Sequence, residues 1–319
     1  MAAEVARPTR AIRDAFGEAL VELGAENPDV VVLDADVAHS SKTISFARKF
    51  PERFFNVGIA EGNMVCMAAG FAAAGKIPYA STFSFLITLR AGEQVRTSVA
   101  YPRLNVKLCG AYAGLSDSYD GATHQDVMDV AVMRAMPNMT VVAPADAVET
   151  RKAVFAVARY DGPVYLRLSR AEIPIVTAED TPFELGKATL MKAGGDVTII
   201  STGTMLAAAL DAAEALGRDG IGARVLNMHT VKPLDEEAVI SAARETGGIV
   251  TVEEHNILGG LGGAVAEVLA KMHPAPMEMV GIEDTFAESG EYSDLLEKYR
   301  LTAADVCDKV KKVVRRGPC

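Results

Sequence analysis

The run VVVLDAD at residues 30–36 most constrains what this chain can fold into. A continuous apolar stretch that ends in acidic and small residues is the pattern of a parallel strand buried on both faces, with its carboxyl end at a functional site. Such a strand needs helices above and below it, and the flanking segments offer them. Ile12, Phe16, Leu20 and Leu23 recur at helical spacing, which predicts a helix over 9–23 with Gly24 as its stop. The alternation then continues, with strands predicted at 54–57, 77–81, 105–110, 140–142 and 164–168. Helices are predicted over 61–74, 90–101, 125–133 and 147–159. Alternating strands and helices imply a parallel sheet covered on both sides.

Residues 171–190 break this rhythm and contain Pro174 and Pro182, the pattern of a linker that ends in a short strand. Beyond them VTIISTG, ARVLNM, GIVTVEE and MEMVGI alternate with helical patterns over 206–216, 236–244, 261–272 and 303–314. The fold class expected is therefore α/β, with two domains of mostly parallel sheets. They span 1–172 and 191–319, with a linker at 173–190.

Composition removes several classes of function. The 319 residues carry 32 basic and 42 acidic side chains, a formal charge of −10 that disfavours a nucleic-acid partner. The longest apolar stretch, 64–75, is short of the roughly 20 residues a bilayer span needs. The opening MAAEVARPTR has no apolar signal core, so a cytoplasmic setting without membrane attachment is expected. Cys66, Cys109, Cys307 and Cys319 form no CxxC pair and are expected as reduced thiols, with no metal site in this chain. The GxGxxG fingerprint, the phosphate-binding Walker loop, HExxH and GxSxG are all absent.

The candidates for chemistry lie where strands end. Glu61 stands at the start of an otherwise apolar helix, where a carboxylate can simply complement the helix dipole. Against an apolar wall it can also share a proton with a ring nitrogen of a ligand. Phe83 and Phe85 in STFSF offer a stacking surface or belong to the core. The polar, glycine-rich loop 110–125 holds Asp120 and His124, the histidine being equally a cap or a packing group. Arg170, after VYLRLSR, suits an anionic substrate group or plain solvation. The cluster GGLGG at 259–263, between a strand and a helix, reads as turn geometry or as free amides able to hold an anion, and the missing nucleotide fingerprint favours the turn.

In order, DAD (34–36), NVGIAEGN (56–63), PYASTF (78–83), DGATHQ (120–125), PNMTVVAPAD (137–146) and DGPVYLRLSR (161–170) resemble the C-terminal half of transketolase. The likeness runs over nearly the whole chain and implies a thiamine diphosphate pyrimidine-binding fold followed by a transketolase C-terminal domain. It also implies thiamine diphosphate with Mg2+, and transfer of a two-carbon ketol unit from a ketose to an aldose. By position, Glu61 then protonates the coenzyme's aminopyrimidine, Phe83 and Phe85 wall it, and Asp36 lies close to it. His124 and Asp120 match the contacts to substrate hydroxyls, while Arg10, Ser40 and Arg170 fall where a sugar phosphate is held.

The family's diphosphate and metal signature, GDG followed about 25 to 30 residues later by asparagine, does not occur here. The resemblance therefore implies a split enzyme, in which a separate N-terminal subunit carries that signature and the site forms between chains in an α2β2 assembly. Tyr112 stands where relatives commonly have a phosphate-pocket histidine, and Tyr119 where they have glutamate. Gly92 replaces a residue that is often aromatic, and one extra residue falls near 84–89. These departures leave the sugar open. The β subunit of a 2-oxoacid dehydrogenase, a 1-deoxyxylulose-5-phosphate synthase and a non-catalytic binding homologue are the alternatives.

Overall fold

A computed structural model of the chain describes residues 7–316. Its strands are β1 (Thr9–Ala11), β2 (Val30–Asp34), β3 (Phe54–Asn56), β4 (Ile77–Phe83), β5 (Lys107–Ala111), β6 (Thr140–Val142) and β7 (Val164–Arg167). They continue as β8 (Glu172–Pro174), β9 (Thr189–Lys192), β10 (Val197–Ser201), β11 (Ala223–Asn227), β12 (Thr230–Lys232), β13 (Ile249–Asn256) and β14 (Met277–Ile282). One sheet runs in the order β12, β6, β7, β5, β4, β2, β3, and a second in the order β14, β13, β10, β11, β9. The first is parallel except for β12, and the second is parallel except for β9.

Burial explains the apolar runs. Every residue of β2, β5 and β10 is buried, because helices cover both faces of each sheet. Helix Glu61–Ala73 buries Glu61, Met64, Val65, Ala68 and Ala69, the spacing of a single helical face, against one side of the first sheet. Helices Ile12–Glu26 and Ala147–Arg159 pack on the other side. From β2 the chain passes outward to β3 and then crosses to β4 on the opposite flank, so the connections diverge between β2 and β4. A crevice opens at the carboxyl ends of strands where connections part in this way.

Several sequence expectations need correction. Thr9–Ala11 is a strand paired antiparallel with Glu172–Pro174, so the first helix begins at Ile12. Gly24 does not stop that helix, which continues to Glu26. A Cβ on Gly24 would come within 2.5 Å of the Phe46 ring and 2.9 Å of the Phe50 ring, so the position serves close packing. Gly24→Ala is expected to destabilise the chain by about 1–3 kcal/mol through overpacking, read as a lower urea midpoint. The helix expected over 125–133 covers Asp129–Ala135, since residues 125–128 are held as a loop by Asp126. The helix expected over 90–101 is replaced by a π turn, Leu86–Arg90, a break at Ala91, and a second helical stretch from Gly92 that ends in a π turn, Val95–Ala100. A π turn holds more residues than an α turn, which gives room for the extra residue noted near 84–89. Cys319 lies outside the described residues.

Buried polar groups join the two halves. Arg167 donates from Nε to Asp129 Oδ2 at 2.7 Å and from Nη2 to the Glu254 carbonyl at 2.9 Å. The Glu254 carboxylate accepts from the Leu115 amide at 2.6 Å and from the Tyr292 hydroxyl at 2.7 Å. Gly114 has φ +66°, and a Cβ there would strike this carboxylate, so glycine is required twice over.

Candidate active site

The crevice is present where the topology places it. A cleft of about 410 Å³ is lined by residues from the carboxyl ends of β2, β3 and β4 and from the loop before residue 125, among them Asp36, Glu61, Phe83, Phe85, Arg90 and His124. Glu61 forms its floor. It is the first residue of its helix and only 2% exposed, a placement that aims a carboxylate from a helix N-terminus into the cleft. The apolar setting expected for it is broken by Arg90, whose Nη1 lies 3.3 Å from Glu61 Oε2. Arg90 itself is 58% exposed, so the pair runs from the buried carboxylate out to the open side of the cleft. The sequence reading gave Arg90 no role, although it is the only charged side chain in STFSFLITLR.

An aromatic group lines the same cleft. Phe83 ends β4, and its ring lies 5.9 Å from His124, while Phe85 lies 5.3 Å from the same imidazole; both meet it edge to face. His124 Nδ1 is 2.9 Å from Thr123 Oγ1, and Nε2 makes no hydrogen bond among the described residues. Asp36, exposed at the mouth, accepts from Asn56 Nδ2 at 3.0 Å and has φ +66°. That left-handed backbone is uncommon away from glycine and occurs directly after β2. Below it Asp34 is buried and fixes the 37–43 segment by accepting from the Val37 amide and the Ser41 and Thr43 hydroxyls. Its carboxyl is raised above the ordinary range, because burial outweighs those bonds.

Behind Phe83 the site turns basic. Tyr112 stacks on Phe83 with centroids 4.9 Å apart, and its own φ of +62° is again left-handed. Arg13 Nη1 donates to the Tyr112 hydroxyl and to the Ser40 carbonyl at 3.3 Å. The Arg170 guanidinium sits 5.0 Å from the Tyr112 centroid and donates to Asp117 Oδ1 at 2.7 Å, with Asp120 Oδ2 3.7 Å away. Burial pushes the Asp117 carboxyl up to about 6, Asp120 adds to that, and Arg170 opposes it. No carboxylate among the described residues pairs with Arg13, and its Nε is buried without a partner. A half-buried cation left this way favours an incoming anion.

Arg10 lies apart from this group. It is placed on β1, pairs with Glu18, and lines a separate hollow with Ala147 and Arg151. Three residues on, the first turn of the helix points Arg13 at Tyr112 and the Ser40 carbonyl instead. Asp36, Glu61, Phe83, Phe85 and His124 are thus brought to one cleft, with Ser40, Asp120 and Arg170 in the adjoining basic group. Tyr119 is exposed and reaches Glu291 of the second half. The glycines of GGLGG hold no free anion site, since Glu253 already accepts from the Leu261 and Gly262 amides at 2.7 and 2.8 Å. Among the described residues no three His, Cys, Asp or Glu side chains are grouped to hold a metal ion, and no helix is long and apolar enough to cross a membrane.

Fold and cleft together define a class: a two-domain α/β protein that presents an acid and an aromatic wall at the carboxyl ends of a parallel sheet. The transketolase pyrimidine-binding domain matches residues 9–175, and the transketolase C-terminal domain matches residues 186–306. The chain belongs to the transketolase family and corresponds along its length to the C-terminal section of the split form. It is 44% identical over 305 residues to the 6-deoxy-6-sulfo-D-fructose transketolase subunit SqwH of Clostridium sp. (strain MSTE9), covering 96% of this chain and 95% of that one. It is 38% identical over 307 residues to an apulose-4-phosphate transketolase subunit of Phocaeicola vulgatus, covering 96% and 98%. A solved split gene transketolase, described as an inactive beta4 tetramer, superposes with a TM-score of 0.89 at 51% identity, covering 96% and 98%.

Proposed function

We propose that this chain supplies the pyrimidine side of a thiamine diphosphate-dependent transketolase, which moves a two-carbon ketol unit from a ketose to an aldose. The observation that carries the reading is Glu61, a buried carboxylate at a helix start that lines one open cleft together with two phenylalanines. A flat aminopyrimidine suits that slot, with its faces against rings and one ring nitrogen toward the acid. Mg2+ does not suit it, for lack of grouped carboxylate or imidazole ligands among the described residues, and the diphosphate goes with its metal. We assign them to a separate N-terminal subunit that carries GDG and the later asparagine, in an α2β2 assembly. Ile59 and Leu89, large apolar side chains exposed beside the cleft, favour a partner chain completing it.

When bound, the coenzyme supplies the nucleophilic carbon for the transfer. Glu61 holds a proton at a carboxylate oxygen and exchanges it with the pyrimidine nitrogen. Phe83 and Phe85 fix the ring plane and keep water from that face. His124, at the edge of both rings, presents Nε2 to the sugar's oxygens, and Asp120 accepts from a hydroxyl. Arg13, Arg170 and Tyr112 bind the anionic end of the sugar, in the place first expected for Arg10, Ser40 and Arg170.

The test is to mix the purified chain with the partner subunit, thiamine diphosphate and Mg2+, and to follow xylulose 5-phosphate with ribose 5-phosphate. Ketol transfer is the expected result, and acetyl-lipoyl formation from pyruvate in its place would overturn the assignment. In the same assay Arg13→Ala is expected to raise KM for a sugar phosphate about tenfold or more, the worth of a charge-assisted bond. Arg10→Ala should leave KM unchanged. An effect of Arg10→Ala equal to that of Arg13→Ala would return the anion site to β1.

A further inference from the structure

The turn that carries the aromatic wall is held from behind by a single carboxylate. Ser84 lies between Phe83 and Phe85 in the chain, and its buried hydroxyl donates to Asp126 Oδ2 at 2.7 Å. Thr88, in the π turn that follows, donates to the same oxygen at 2.8 Å. The other oxygen of Asp126 accepts from the Met128 amide at 3.2 Å, and the Asp126 carbonyl accepts from the Gly114 amide at 2.9 Å. Asp126 follows His124 by two residues but does not line the cleft itself. One side chain therefore spans the segment that supplies the phenylalanines and the segment that supplies the histidine.

We propose that Asp126 is a positioning residue that sets the spacing and tilt between the Phe83 and Phe85 wall and His124 by holding the Ser84 and Thr88 hydroxyls. What the cleft binds rests on the transketolase reading above, whereas the tether belongs to this chain alone. Two observations make the carboxylate matter more than an ordinary core bond. Asp126, Ser84 and Thr88 are all buried, so no water stands ready to replace a lost acceptor. Thr88 sits in a π turn, a rare backbone form that depends on its surroundings for support. Burial and neighbouring Asp129 push the Asp126 carboxyl up to about 6, and the bonds from Ser84, Thr88 and the Met128 amide work against that rise.

Thr88 gives the cleanest test, since valine keeps its shape without the hydroxyl and serine keeps the hydroxyl without the methyl. In the complex reconstituted with the partner subunit, Thr88→Val and Asp126→Asn are expected to lower kcat about 10- to 100-fold, the scale of a misplacement near 1 Å, with a raised KM for thiamine diphosphate. Thr88→Ser should stay close to wild type in both. Equal losses in the valine and serine variants, or wild-type kcat in both Thr88→Val and Asp126→Asn, would overturn the proposal. A second readout needs neither partner nor coenzyme: ring resonances of labelled phenylalanine in the full chain. Phe83 and Phe85 are expected to broaden or double in Thr88→Val and to stay single in wild type and Thr88→Ser; unchanged spectra in Thr88→Val and Asp126→Asn would overturn the tether. If wild type takes up no coenzyme beside its partner, the transketolase reading fails, and the phenylalanine spectra still decide the role of Asp126.

Discussion

Glu61→Gln is expected to lower kcat of the reconstituted enzyme by about 10²- to 10⁴-fold, the range attributed to a positioned acid or base. Glutamine keeps the size and the hydrogen-bonding reach of the side chain but has no proton to exchange at neutral pH. The fold should survive, because the partner that Glu61 loses is Arg90, which is largely exposed and stays solvated without it. Gel filtration is therefore expected to show unchanged assembly alongside the lost turnover. A fully active glutamine variant would remove Glu61 from the proton path.

The second large effect concerns stability. Arg167→Met is expected to destabilise the chain by about 3–5 kcal/mol, because it leaves the Asp129 carboxylate buried beside the Tyr165 hydroxyl with its cation gone. Burial works against the Arg167 charge, yet Asp129 and Glu254 hold the guanidinium protonated. Urea unfolding measures the loss, and a second change, Asp129→Leu in the Arg167→Met background, should recover much of it by removing the stranded charge. A single variant as stable as wild type would show that water reaches Asp129 and solvates it.

The parallel core was legible because its signals are local. β2 and β10 read as unbroken apolar runs, and the buried face of helix Glu61–Ala73 follows one helical period. Glu61 and His124 stood out because strand ends in α/β folds collect chemistry, and the resemblance then supplied roles that spacing alone left open. What escaped depends on partners distant in sequence. Thr9–Ala11 becomes a strand only through Glu172–Pro174, and that pairing turns Arg10 away while the new helix start presents Arg13. Ser84 and Thr88 meet Asp126 across roughly forty residues, and no periodicity announces a bond between hydroxyl and carboxylate. Gly24 looked like punctuation because a glycine needed for close approach and one that ends a helix read alike until the opposing Phe46 is known.

The antiparallel strand β12 belongs by sequence to the second half, yet it hydrogen-bonds to β6 at the margin of the first sheet. The pyrimidine-side layer thus borrows its selvedge from the other half. A fragment cut after residue 174 would bare the flank of β6 to whatever strand came near, and self-adhesion would be the natural fate of that fragment. Any further division of this polypeptide, by protease or by design, must keep residues 230–232 with the piece they hem.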